Sequence, residues 1–128
     1  MAYVLVADDE LAMRQILREA LLIDGHTVEV ACDGNEVMRM LHERVPDVVV
    51  VDIIMPDKEG LETIIEMRRE YPSVKIIAMS GGARIGPDGY LSMAEHLGAA
   101  RIFQKPFELN DLRKAIKEVL EVPPKSKP

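Results

Sequence analysis

Asp47-Val48-Val49-Val50-Val51-Asp52 decides the fold. Four consecutive valines show no polar alternation, so a strand built from them is covered on both faces, as in a parallel sheet. It stops on an acid. The same unit, a short apolar run followed by an amphipathic helix, recurs on either side of it.

Upstream, Val4-Leu5-Val6-Ala7 reads as a buried strand that runs into Asp8-Asp9-Glu10. Met13, Ile16, Leu17, Ala20 and Leu21 then repeat at i, i+3, i+4, i+7 and i+8, which is one helical stripe. Asp24-Gly25 stops that helix, with Gly25 suited to a left-handed cap. Thr27-Val28-Glu29-Val30-Ala31 is a second strand, and Asp33-Gly34 turns into a helix carrying Val37, Met38 and Leu41.

Downstream, Leu61, Ile64, Ile65 and Met67 mark a helix that ends before Pro72. Val74-Lys75-Ile76-Ile77-Ala78-Met79 is a strand ending at Ser80. A loop with Gly81, Gly82, Gly86 and Gly89 follows, of the kind that is mobile and carries partner contacts. Tyr90, Leu91, Ala94 and Leu97 give a helix stopped by Gly98. Arg101-Ile102-Phe103-Gln104 is a last strand, ending at Lys105-Pro106, and Leu109, Leu112, Ile116, Val119 and Leu120 form the last stripe. The expectation is an α/β fold, (βα) five times over, doubly wound, with a parallel sheet and helices on both faces. Residues 1–121 form one domain, and 122–128 form a proline- and lysine-rich tail whose composition predicts disorder.

Only 4% of the 128 residues are aromatic while 48% are apolar, so the core is aliphatic. The formal net charge of −6 disfavours binding to a nucleic-acid backbone. No apolar run reaches the ~18 residues that a membrane span needs. A lone cysteine, Cys32, cannot form an internal disulfide, and a reducing cytoplasm is the expected setting. Cys32 reads as a small buried or half-buried residue, His26, His42 and His96 as surface residues, and Arg68-Arg69 as a solvated helix face.

In an open parallel sheet, ligands bind beyond the carboxyl ends of the strands. Here the first strand ends at Asp8-Asp9, the third at Asp52, the fourth at Ser80 and the fifth at Lys105. Carboxylates brought together repel one another, and a divalent cation removes the repulsion. Mg²⁺ takes oxygen ligands and keeps several waters, whereas a set without His or Cys argues against zinc. A cation at such an edge neutralises an incoming phosphoryl group, an ammonium adds a second positive charge, and a hydroxyl donates to a phosphoryl oxygen.

The set Asp8-Asp9, Asp52-Ile53-Ile54-Met55-Pro56 with Gly60, Ser80, and Lys105-Pro106-Phe107 resembles the receiver domain of two-component response regulators over residues 1–121. The resemblance implies a flavodoxin-like strand order 2-1-3-4-5. It implies Asp52 as phosphoacceptor, Mg²⁺ on Asp9 directly, on Asp8 through water, on Asp52, and on the backbone carbonyl of Ile54. Lys105 would contact the phosphoryl group, Ser80 would move to bond it, and Lys105-Pro106 would be a cis bond. The implied partners are a histidine kinase or histidine phosphotransfer protein as donor and a downstream protein target.

Two departures from the family pattern stand out. Ile102 occupies the position three before the lysine where an aromatic is usual, and its neighbour Phe103 should face the other way. Ile54 and Gly82 stand where side chains influence the hydrolytic water, and neither can bond it, which predicts slow self-dephosphorylation. Competing readings are a phosphorelay shuttle, a receiver cut from a longer regulator, a receiver acting without phosphorylation, and a Mg²⁺-dependent phosphatase with an aspartyl nucleophile. The phosphatase typically needs a second Asp at position 54, where this chain has Ile54. P-loop and dinucleotide-binding motifs are absent after the first strand.

Overall fold

The computed structural model describes residues 2–54, 60–81 and 90–122, with the side chains of Tyr90 and Leu91 not among them. Elements alternate as β1 (Tyr3–Ala7), α1 (Leu11–Ile23), β2 (Thr27–Ala31), α2 (Gly34–Glu43), β3 (Val48–Asp52), α3 (Gly60–Glu70), β4 (Lys75–Ser80), α4 (Tyr90–His96), β5 (Arg101–Gln104) and α5 (Leu109–Glu121). The strands form one five-stranded sheet in the order β2-β1-β3-β4-β5, with every pair parallel.

The pleat explains why β3 is valine throughout. Val48 and Val50 join Val4, Val6, Ile77 and Met79 under α1 and α5. Val49 and Val51 join Leu5, Ala7, Ile76 and Ala78 under α2, α3 and α4. Alternate side chains leave a strand on opposite faces, so a strand covered on both sides is apolar at every position. All five residues of β3 are buried, Asp52 included. The same parity separates Ile102, which packs with the α2–α4 layer, from Phe103, which packs with the α1–α5 layer.

The helices start and stop for local reasons. Asp33 caps α2 by accepting from the Glu36 N–H at 2.8 Å, the usual way of satisfying an orphan donor. Gly25 follows α1 at φ +90°, the left-handed conformation expected of it. Arg113 of α5 reaches Asp24 at the end of α1, with Nε 2.9 Å from Oδ2, and these hydrogen bonds hold the Asp24 carboxyl below the usual carboxylate range.

Several side chains sit elsewhere than their sequence spacing predicts. Ile16 and Ile65 lie at the edge of their helical stripes and are about half exposed. Cys32 is exposed, because the buried strand positions of β2 end at Ala31. His26 is buried rather than on the surface: the pairing of β1 with β2 brings Ala2 over it, and the Ala2 N–H donates to Nδ1 at 3.3 Å. Arg68 is half-buried, donates to the Val74 carbonyl and lies across Gly98, while its neighbour Arg69 stays exposed. Met38, Met67 and Met79 are core residues as expected, and Met13 is half-buried. Met55, Gly82, Gly86, Gly89 and the tail 123–128 lie outside the described residues.

Candidate functional site

The site is assembled at the carboxyl edge of the sheet. β1 and β3 are adjacent and in register, with Ala7 opposite Val51, so the residues that follow each strand emerge side by side. Asp8, Asp9 and Asp52 each place a carboxylate oxygen within 4.8 Å of the others. Asp8 and Asp52 are buried and Asp9 is exposed.

Lys105 comes in from β5 across β4. Its N–H donates to the Ser80 carbonyl at 2.8 Å, which fixes its backbone at the sheet edge. Its ammonium then spans the two buried acids, 2.6 Å from Asp8 Oδ2 and 3.0 Å from Asp52 Oδ2. The second oxygens are also satisfied: the Glu10 N–H donates to Asp8 Oδ1 at 2.9 Å, and the Ile54 N–H donates to Asp52 Oδ1 at 2.9 Å. Arg14 donates to the Asp8 carbonyl at 2.8 Å and ties the start of α1 to the acidic loop. The Lys105–Pro106 bond is cis.

Burial pushes the Asp52 carboxyl above its ordinary value, with the Asp8 charge adding to the effect and the Ile54 N–H and Lys105 opposing it. Burial pulls Lys105 down, but its hydrogen bonds to Asp8 and Asp52 and their charges outweigh this, so its pKa is raised. The pocket therefore favours a charged Lys105 and disfavours an ionised Asp52, a state that any further positive charge relieves. An all-oxygen donor set of three carboxylates suits a hard cation such as Mg²⁺.

The structure thus brings together Asp8, Asp9, Asp52 and Lys105, with Ser80 buried at the end of β4 beside them. Ile54 reaches the site through its N–H and leaves its side chain 45% exposed. Ile102 is half-buried opposite Ala78, inside the α2–α4 layer. Pro56 lies outside the described residues. Two further contributors, Glu10 and Arg14, were not singled out from the sequence. Glu10 follows directly on Asp8-Asp9, which is a usable signal, whereas Arg14 is one charged residue among several on α1.

A doubly wound parallel sheet in the order 2-1-3-4-5, with an acidic cluster and a lysine converging at its carboxyl edge, defines a flavodoxin-like α/β protein whose chemistry sits where the strands end. The chain belongs to the response regulator receiver domain family, whose sequence profile matches residues 4–117. Among curated proteins it is 35% identical over 117 residues to the probable transcriptional regulator ycf27 of Guillardia theta, covering 91% of this chain and 44% of that one. It is 32% identical over 126 residues to the response regulator MprA of Mycobacterium ulcerans, covering 91% of this chain and 49% of that protein. The chain spans less than half the length of these relatives. Among solved structures, a response regulator receiver domain protein from Clostridium thermocellum superposes with a TM-score of 0.85 at 30% identity, over 94% of both chains. The chemotaxis response regulator CheY4 of Vibrio cholerae gives 0.83 at 29% identity, over 93% of this chain and 98% of that one. No helix among the described residues is long and apolar enough to cross a membrane.

Proposed function

We propose that this domain is a phosphorylation-dependent switch that accepts a phosphoryl group on Asp52 from a phosphohistidine donor, with Mg²⁺, and passes the signal on by altered binding to a protein target. The observation that carries the reading is the Lys105 ammonium held between two buried carboxylates, beside a third, exposed carboxylate. Asp8, Asp9, Asp52 and the Ile54 carbonyl would hold the cation. Bound there, Mg²⁺ supplies charge neutralisation for the approach of a phosphoryl group.

This chain's own residues do the rest. An oxygen of Asp52 forms the new bond to phosphorus as the bond from phosphorus to the donor's imidazole nitrogen breaks, and the nitrogen keeps the electron pair. The Ile54 N–H on Asp52 Oδ1 fixes the carboxylate plane during attack. Lys105, already within bonding distance of Asp52, follows the charge as it moves onto the phosphoryl oxygens. The acyl phosphate carries roughly −2 of charge where the carboxylate carried −1, and places it on the phosphoryl oxygens. Ser80 and Lys105 are joined through the backbone, so their shift toward that charge moves β4 and β5 together. Such a shift biases a pre-existing equilibrium between surface arrangements. Ile102 sits at that junction in place of an aromatic, so the surface change runs through aliphatic repacking. A histidine kinase or phosphotransfer protein as donor, a cytoplasmic setting, and a receiver unit over residues 1–121 go with this reading.

Exposure to acetyl phosphate with and without Mg²⁺, followed by intact mass, tests it. The expected result is a gain of one phosphate that needs Mg²⁺ and is absent in Asp52→Asn. Labelling that persists in Asp52→Asn would overturn the assignment.

A further inference from the structure

We propose that Glu10 sets the charge at the mouth of the acidic pocket and thereby selects against small dianionic phosphate donors. The inference rests on the phosphoacceptor reading of Asp52. Glu10 Oε1 lies 3.7 Å from Lys105 Nζ, which makes it a third carboxylate on the ammonium that already holds Asp8 and Asp52. It differs from those two in exposure. Its side chain is 67% exposed, against 0% for Asp8 and 7% for Asp52. Of the three carboxylates on this ammonium, it is the one open to solvent.

The position is fixed without a competing duty. Glu10 is the N-cap residue of α1, yet its carboxylate makes no capping hydrogen bond. Its N–H donates to Asp8 Oδ1, which anchors the backbone at the edge of the pocket and leaves the carboxylate free to lean over Lys105. It is not part of the three-carboxylate cluster suited to a cation, so it acts on the site through charge rather than as a ligand.

The charge balance turns on it. Among the described residues, Asp8, Asp9, Glu10 and Asp52 against Lys105 and Arg14 leave a formal charge of −2. One divalent cation brings this set to neutrality, and without Glu10 the loaded set would be positive by one unit. A dianion meeting a neutral mouth rather than a positive one loses attraction. For charges about 6 Å apart in a water-like dielectric, the difference corresponds to about threefold in rate at 0.1 M ionic strength and falls below about 1.5-fold at 1 M. The same carboxylate favours the cation, so its removal weakens Mg²⁺ binding by a comparable factor. The two effects have opposite signs, whereas a structural disturbance of the pocket lowers both.

The test compares Glu10→Gln with Glu121→Gln, which removes the same unit of charge from the far end of α5. Titration calorimetry without donor reads Mg²⁺ affinity. Intact mass against time reads Asp52 phosphorylation at saturating Mg²⁺, with acetyl phosphate as the dianionic donor and phosphoramidate as the singly charged one. In Glu10→Gln, Mg²⁺ affinity is expected to fall about threefold. Its rate with acetyl phosphate is expected to rise about threefold at 0.1 M salt, the gain shrinking at 1 M and with phosphoramidate. Glu121→Gln is expected to change neither. Shifts of both readouts in one direction, an unchanged Glu10→Gln, or an equal effect of Glu121→Gln overturn the inference alone. A wild type that takes no phosphate on Asp52 overturns the phosphoacceptor reading and this inference with it.

Discussion

Lys105 lies closer to Asp8 than to Asp52: its ammonium is 2.6 Å from the Asp8 carboxylate and 3.0 Å from the acceptor candidate. The lysine is the internal counter-ion of two buried acids, with its own side chain only 12% exposed. Removing one partner of a buried ion pair leaves uncompensated charge and costs about 3–5 kcal/mol.

Lys105→Met should therefore be destabilised by about that amount without Mg²⁺, and Mg²⁺ should restore a larger share of stability to it than it adds to the wild type. Urea unfolding of both chains with and without Mg²⁺ measures this. Equal stabilisation of the two by the cation would show that the lysine is not acting as the counter-ion.

Gly60 opens α3 against the end of β3. A Cβ there would stand 2.3 Å from the Ile53 Cα and 2.6 Å from the Asp52 carbonyl oxygen, both of them backbone atoms that cannot turn aside. Gly60→Ala should cost about 3 kcal/mol, at the upper end of overpacking effects, and should displace Asp52. The expected readout is a lower urea midpoint together with slower phosphorylation, and a substitution tolerated without loss of stability would refute the close approach.

His26 is buried and neutral in the fold. Burial lowers its pKa from the ordinary 6.5, with Asp24 opposing, and its Nδ1 must be unprotonated to accept from the Ala2 N–H. A histidine with a depressed folded pKa binds its proton more readily in the unfolded chain. Its contribution is thus fully present above about 6.5 and is lost as pH falls from there toward the folded value. Wild-type stability should decline across that window more steeply than that of His26→Gln, as followed by urea unfolding at pH 7.5 and 5.5. Parallel pH profiles would rule out His26 as the source.

Ile54 presents an apolar, half-exposed side chain two residues beyond Asp52. A side chain that cannot orient water would leave an acyl phosphate on Asp52 long-lived. Ile54→Asn is expected to lose phosphate several-fold faster once the donor is removed, measured by intact mass against time. A variant that decays no faster than its parent would sink the idea.

Much of this fold is legible in the amino-acid sequence. The alternation of apolar runs with helical stripes marks each strand and helix among the described residues, because a strand covered on both faces and a helix covered on one leave different periods in the chain. The residues that broke these expectations lie where periodicity has no authority. Ile16 and Ile65 belong to a stripe by spacing but sit at its edge, and helix rotation is set by packing. His26 and Cys32 flank β2 at opposite ends, where burial depends on what the neighbouring segments bring over them.

For the site, the sequence by itself determined which residue types end the strands: Asp8 and Asp9 after β1, Asp52 in β3, Ser80 in β4 and Lys105 after β5. Only the tertiary structure decided that Lys105 bonds acids 97 and 53 positions away, and that Glu10 leans over the same ammonium. Composition and local pattern fix the faces and ends of elements. Distances between side chains so remote in sequence come from strand order and register, and those are settled by how the whole sheet packs.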